Sequence, residues 1–341
     1  MSEIRIAVDA MGGDIGYKVT VPAALKTLQK HPNLYLYLVG NEELIVQELS
    51  YHSGWDKRRV KVKHASQVIA MDESPSFALR GKKDSSMRVA LDLVKSGEAA
   101  GCVSAGNTGA LMAISRFVLK MLPGVDRPAI LSQVPSMVGK VHVLDLGANV
   151  DSQAEHLLQF AVMGSILVAE SENILHPKVG LLNVGKEAIK GTEQVKKAAK
   201  LLENSDLNYI GFVEGDDVYT GMIDVIVCDG FVGNVALKTS EGLAKMILAA
   251  TKKEFRRNWY TKISAILAKG VLSSLRDKFD PGQYNGGSLL GLQGVVIKSH
   301  GNAMQDAFAT AINCAVLEVA KNIPEKIKNS VSLKLGKPIE A

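Results

Sequence analysis

The stretch Gly101-Cys102-Val103-Ser104-Ala105-Gly106-Asn107-Thr108-Gly109-Ala110 joins a short apolar run to a turn rich in glycine and hydroxyls, and a helical pattern over Leu111–Leu122 follows it. A strand that ends in such a turn and feeds a helix is the building unit of a doubly wound α/β sheet. The unit recurs. Further strand-like runs are Arg5–Val8, Leu34–Val39, Val60–His64, Ala129–Val134, Lys140–Leu144, Lys178–Asn183, Asn208–Val213, Ile223–Cys228 and Val295–Ser299, with helical patterns between most of them. The fold class predicted is α/β, with a doubly wound, mostly parallel sheet. Residues 1–330 are expected to form one α/β catalytic domain of two lobes, with 331–341 as a tail. The chain after Ile323, with Pro324, Pro338 and several lysines, reads as a loosely held end.

With 341 residues, 47% hydrophobic and only 5% aromatic, the chain can fill a large core with Val, Ile, Leu, Ala and Met. No run reaches the roughly 18 to 20 apolar residues that span a bilayer. Ile4-Arg5-Ile6-Ala7-Val8 starts a strand at once, which predicts a chain without an export leader. Cys102, Cys228 and Cys314 have no metal or redox spacing, so a reducing, cytoplasmic setting without metal or cofactor is expected.

Charge is unevenly placed. Residues 252–278 hold eight Lys/Arg against Glu254 and Asp277; the rest of the chain holds 32 basic and 33 acidic residues (40 minus 8, 35 minus 2). The same segment carries Phe255, Trp259, Ile263, Ile266, Leu267, Val271 and Leu275, mostly at three- and four-residue spacings. Residues 250–278 therefore read as a basic amphipathic helical protrusion that lies on an anionic membrane, docks a partner, or contacts a second subunit. The excess forms one patch on an apolar helix, with no stacking platform elsewhere, which argues against nucleic acid.

In open parallel sheets ligands bind beyond the carboxyl ends of the strands. Here those ends carry several candidate turns. Asp9-Ala10-Met11-Gly12-Gly13-Asp14 permits close backbone approach to a ligand, or is a tight strand-to-helix turn. Ser104 to Gly109 offers a phosphate cradle without a Walker lysine; a plain cap by Asn107 or Thr108 is the alternative. In Asp145-Leu146-Gly147-Ala148-Asn149-Val150-Asp151-Ser152, Ser152 with Glu155 fits a capping box. Asp145 and Asn149 are left to order the phosphate loop. In Asn183 to Thr192, Lys190 stands just before a helix expected to start at Thr192. That opposes the helix macrodipole but suits a bound anion. In Val227-Cys228-Asp229-Gly230-Phe231-Val232-Gly233-Asn234, a strand delivers Asp229 to its end and Asn234 opens a long helix. Gly286 to Leu292 reads as an acyl-sized groove. His300-Gly301 follows a strand, and His300 is a general acid, a phosphate donor or a structural histidine. Arg80, Lys82 and Lys83 supply cations for phosphate or for an acidic carrier face, or form a solvated run.

Taken together, Asp9–Asp14, Glu73–Met87, Ser104–Ala110, Asp145–Asp151, Asp229–Lys238 and Ser299–Gly301 closely resemble the bacterial phosphate acyltransferase family, from about Ile4 to Ile323. The resemblance implies the fold of the isocitrate-dehydrogenase and phosphotransacetylase group, and a homodimer. It implies conversion of acyl-acyl carrier protein and inorganic phosphate to acyl phosphate, which feeds the first acylation of glycerol 3-phosphate in phospholipid synthesis. It further implies work at the inner face of the membrane, handing product to a membrane glycerol-3-phosphate acyltransferase. Trp259, Ile263, Ile266 and Leu267 would then meet lipid, with about 1 kcal/mol from each Lys/Arg near an anionic leaflet.

Within that reading the catalytic candidates are Lys190, Asp229 and Asn234. Lys190 and the Ser104–Gly109 turn would hold phosphate, Asp229 would orient it or take its proton, and Asn234 would donate to the thioester oxygen. Asp9, Gly12, Gly13, Asp145, Asn149, Gly230, Gly233, His300 and Gly301 complete the expected binding set. Rival readings are a covalent route through Cys102 or Cys228, a metal-dependent hydroxy-acid dehydrogenase using Asp216, Asp217 and Asp224, and a non-catalytic membrane scaffold.

Overall fold

The computed structural model describes residues 3–278 and 280–334. Strands are β1 (Ile4–Asp9), β2 (Leu34–Gly40), β3 (Val60–His64), β4 (Gly101–Ser104), β5 (Ala129–Pro135), β6 (Lys140–Leu144), β7 (Val179–Leu182), β8 (Tyr209–Val213), β9 (Val225–Val227), β10 (Gly287–Leu290) and β11 (Val295–Lys298). Helices are α1 (Tyr17–Lys30), α2 (Glu42–Ser50), α3 (Pro75–Gly81), α4 (Ser86–Lys95), α5 (Thr108–Leu119), α6 (Ala154–Glu172), α7 (Glu193–Glu203), α8 (Gly230–Phe255), α9 (Trp259–Leu267), α10 (Lys269–Lys278), α11 (Gln305–Ala320) and α12 (Ile323–Lys334).

One sheet runs in the order β3-β2-β1-β4-β11-β10-β5-β6-β9-β7-β8. Its two outer blocks are parallel, and the antiparallel pairs β11·β10, β10·β5 and β5·β6 join them. Helices cover both faces. Strand alternation sorts β1 between two cores: Ile6 and Val8 face the cluster that holds Phe308 and Ile312 of α11, while Ala7 faces the one holding Leu91 of α4 and Ile114 of α5. A third cluster packs Leu157, Phe160 and Met163 of α6 on Val179, Leu181 and Val225.

Three expectations change. The Gly286–Leu292 run is not a groove: residues 287–290 are all buried and form the strand β10 at the sheet centre. The 250–278 segment is not one helix, because α8 ends at Phe255 and Asn258 caps α9, its Oδ1 accepting from Thr261 N at 3.0 Å. The chain after Ile323 is not loose as far as Lys334: it forms α12, whose Ile323, Ile327 and Val331 are buried in the α6 core. The part of the expected tail at 335–341 lies outside the described residues.

Candidate active site

A cleft of about 350 Å³ opens where α5, the β6–α6 turn, α8 and β11 converge. Thr108, Gly230, Asn234, Lys238, Lys298 and His300 line it. β4 and β9 run in opposite senses, yet the turns after both border this cleft. A twist of about 20–25° at each of the strand steps between them turns the two blocks toward each other.

The turn after β4 is more structural than the sequence suggests. Ser104 is fully buried; its hydroxyl donates to Asp9 Oδ2 (2.6 Å) and accepts from Gly106 N (3.0 Å). Asn107 caps α5, accepting from Ala110 N, and its amide donates to the carbonyls of Met71 and Glu73, both at 2.9 Å. A side chain at Gly12, Gly106 or Gly109 would meet Asp9, Met87 or Pro75 within 2.8 Å. Gly13 fits against the Gly301 carbonyl, which also accepts from Asp14 N. Asp9, Gly12, Gly13, Ser104, Gly106, Asn107, Gly109 and Gly301 therefore shape the wall, and from the Ser104–Gly109 turn only Thr108 lines the cleft. The plain cap explains Asn107. The helix it caps begins at Thr108 rather than Leu111 and ends at Leu119.

Asp145 organises the opposite wall. Its buried carboxylate accepts from Ile130 N and Ala148 N (3.0 Å each), Asn149 N (2.6 Å) and Asn149 Nδ2 (2.9 Å), and Asn149 Nδ2 also donates to Pro128 O. Burial still pushes the carboxyl pKa upward, against those four donors. The next helix starts one residue later than expected: Gln153, not Ser152, is its cap, and Gln153 N donates to His156 Nδ1.

The N-terminus of α8 closes the cleft. Asp229 is its cap, accepting from Val232 N at 2.9 Å. Asn234, expected to open the helix, instead sits inside it, exposed, beside Gly147. The capping explanation thus belongs to Asp229, and the Asn234 amide is left facing the cleft. Gly230 and Gly233 pack so closely on the β6–α6 turn that an added carbon would collide with the Asn149 and Asp145 carbonyls.

Lys298, at the end of β11, is the residue that sequence reading missed. It is held by the carbonyls of Ala105 (3.4 Å) and Ser299 rather than by a carboxylate. Burial depresses its pKa to about 8, with Asp9 pulling upward and Lys238 downward. Lys238 pairs with Glu241 at 3.0 Å. His300 Nε2 stands 4.0 Å from Glu241, and burial lowers its pKa against the pull of that carboxylate. Buried Asn285 fixes this corner, donating to Ser299 Oγ and accepting from His300 N.

Lys190 does not line the cleft. It lies on the loop after β7, half-exposed, with Glu187 at 3.3 Å, next to Gly191. Gly191, Thr192, Asp229 and Phe231 line a second cavity of about 700 Å³, largely apolar, and Phe231 is common to both. Lys82 is also reassigned: it pairs with Glu73 at 2.9 Å and donates to Val68 O, which ties a loop down, while Arg80 and Lys83 remain exposed.

The rivals lose ground. Cys102 and Cys228 are buried with their thiol pKa values pushed up, chiefly by burial, so neither presents a thiolate. Asp217 pairs with Lys186 and accepts from Glu214 N, and Asp224 accepts from Lys178 N. Both carboxylates are engaged away from the cleft.

Residues 4–326 match the model of a family described as fatty acid synthesis protein. A protein named phosphate acyltransferase from Methylococcus capsulatus is 59% identical over 94% of this chain and 95% of its own length. One of the same name from Legionella pneumophila is 55% identical over 97% of both chains. The chain belongs to the phosphate acyltransferase family. It is accordingly an acyltransferase. The fold is that of phosphotransacetylases: the Streptococcus pyogenes structure superposes with a TM-score of 0.63 at 18% identity, over 93% of this chain and 94% of its own. The EutD phosphotransacetylase from Staphylococcus aureus gives 0.61 at 18% identity and the same coverage.

The arm formed by the end of α8, α9 and α10 exposes Trp259, Ile263, Ile266 and Leu267, the last 84% exposed. Trp259 stacks on Tyr260 with ring centroids 3.5 Å apart. No helix among the described residues is long and apolar enough to cross a membrane.

Proposed function

We propose that this acyltransferase converts acyl-acyl carrier protein and inorganic phosphate to acyl phosphate, for fatty acid and phospholipid synthesis. The supporting observation is the convergence of Lys238, Lys298, His300, Thr108 and the Asn234 amide on one small cleft at a helix N-terminus. Phosphate is a nucleophile at neutral pH, and the cations there suit it. Its oxygen attacks the thioester carbon, Asn234 donates to the developing oxyanion, the C–S bond breaks, and the phosphate proton ends on the carrier thiol. The second cavity suits the carrier's phosphopantetheine arm, with Lys190 meeting its phosphodiester and Asp229 at its inner end. Arg80 and Lys83 face an acidic carrier.

The test is incubation with palmitoyl-carrier protein and labelled phosphate. Acyl phosphate should form, and Asn234→Ala should lower kcat by about 100-fold, the scale of a lost oxyanion donor. Lys190→Ala should lower kcat/KM for the acyl carrier by at least about tenfold, with unfolding unchanged because its ion pair is exposed. No acyl phosphate from the native protein would sink the reading.

In the same proposal the enzyme works as a cytoplasmic homodimer, held peripherally on the inner membrane, passing product to a membrane glycerol-3-phosphate acyltransferase. The supporting feature is the basic arm with its exposed apolar side chains. Ile266→Glu with Leu267→Glu should abolish sedimentation with vesicles rich in anionic lipid and leave turnover in solution intact; unchanged sedimentation would reassign the arm to a protein contact.

A further inference from the structure

A second groove borders the cleft at His300 and lies along α8. Leu237, Ala244 and Leu248 share one face of that helix and form its floor, and Val134 of β5 lies opposite. Ser132, Leu237 and His300 line both groove and cleft, so the two adjoin. The groove encloses about 270 Å³. Tyr284 lines this groove and is also a wall of a separate cavity of about 390 Å³, so it stands between the two. That cavity is charged: Lys140 and Glu172 pair there at 2.8 Å, and the buried His142 Nε2 lies 3.7 Å from the same carboxylate.

We propose that this groove seats the hydrocarbon chain of the acyl donor, and that Tyr284 is the stop that sets its length. The inference rests on the acyl-transfer reading above. An acyl group whose carbonyl sits by Asn234 must send its chain into an apolar space that opens from the same cleft, and the lining of this groove supplies one. An apolar cavity of about 150 Å³ takes a six-carbon ring, so the groove suits roughly ten carbons. Beyond Tyr284 the chain would displace solvent from an ion pair without replacing its contacts, which ends the favourable path.

The experiment measures kcat/KM for acyl phosphate formation over donors of about six to eighteen carbons. In the native enzyme it should rise about fourfold per methylene, the value of about 0.8 kcal/mol for each buried CH₂, then level off where the chain meets Tyr284. Tyr284→Ala should move that break to longer chains. Ala244→Trp, on a partly exposed helix face, should move it to shorter chains while the shortest donor is turned over normally. If Tyr284→Ala fails to fold, Ala244→Trp decides alone. Profiles identical to the native one overturn the inference, and an altered association between copies with an unaltered profile makes the groove a subunit contact instead. Acyl phosphate from no donor at all removes the acyl-transfer reading and this inference with it.

Discussion

Lys298→Met is expected to lower kcat/KM for phosphate by about 10- to 150-fold, the worth of a charge-assisted hydrogen bond of about 1.5–3 kcal/mol, and to raise stability at the same time. The opposed signs come from burial. The ammonium is depressed from 10.5 to about 8 chiefly because it is largely buried, with carbonyls as its hydrogen-bond partners. The folded state therefore holds this proton less tightly than the unfolded chain. Keeping the group charged costs about 3 kcal/mol below pH 8, and the cost is relieved as pH rises from about 8 toward 10.5. Methionine fills the same channel without the charge. Two measurements check this. The native KM for phosphate should climb as pH passes about 8, while the variant shows no such limb. The native unfolding free energy should gain on the variant between pH 8 and 10. An unchanged KM with lost stability would make Lys298 a structural residue.

The depression of Lys298 also explains why sequence could not find it. In Val295-Val296-Ile297-Lys298-Ser299 it reads as the polar end of a strand, and nothing local says that Ala105, just past the neighbouring strand β4, meets it. The strands themselves were legible because alternating β-branched runs carry their own period. β10 was not, because Gly287-Ser288-Leu289-Leu290 is short, glycine-flanked and buried on both faces, and only its pairing with β5 and β11 makes it a strand. Cap chemistry was half legible. The helix expected to start at Thr192 starts one residue later with Thr192 as its cap, while the cap of α8 is Asp229 and not Asn234, since either amino acid is a good cap and tertiary contact chose between them. The glycine turns were correctly seen as special. At Gly12, Gly106 and Gly109 side chains of the fold approach so closely that a Cβ would collide with them. The arm kept its exposed apolar residues but broke at Asn258, whose capping geometry outweighs a continuous helical period.

Asp145→Ala should produce the largest loss of stability, about 3–5 kcal/mol, a large share of the about 5–15 kcal/mol that holds a typical domain together. The carboxylate is fully buried and accepts from four N–H groups: Ile130 N on β5, Ala148 N, Asn149 N and the Asn149 side chain. Each donor left without an acceptor costs about 1–3 kcal/mol, and a water entering the vacated space recovers part of the total. Asp145→Asn should lose less, since one carbonyl oxygen survives, but its amide must turn against one of the donor pairs. Function should fail with the fold in both variants, because Leu146, Gly147 and Val150 of this turn line the cleft and Gly230 and Gly233 of α8 rest on its carbonyls. A urea titration reads the effect as a shift in midpoint at constant slope. A shift in Asp145→Ala corresponding to less than about 1 kcal/mol would mean that the turn is held by its packing against α8, and that the buried carboxylate is there for the chemistry rather than the wall.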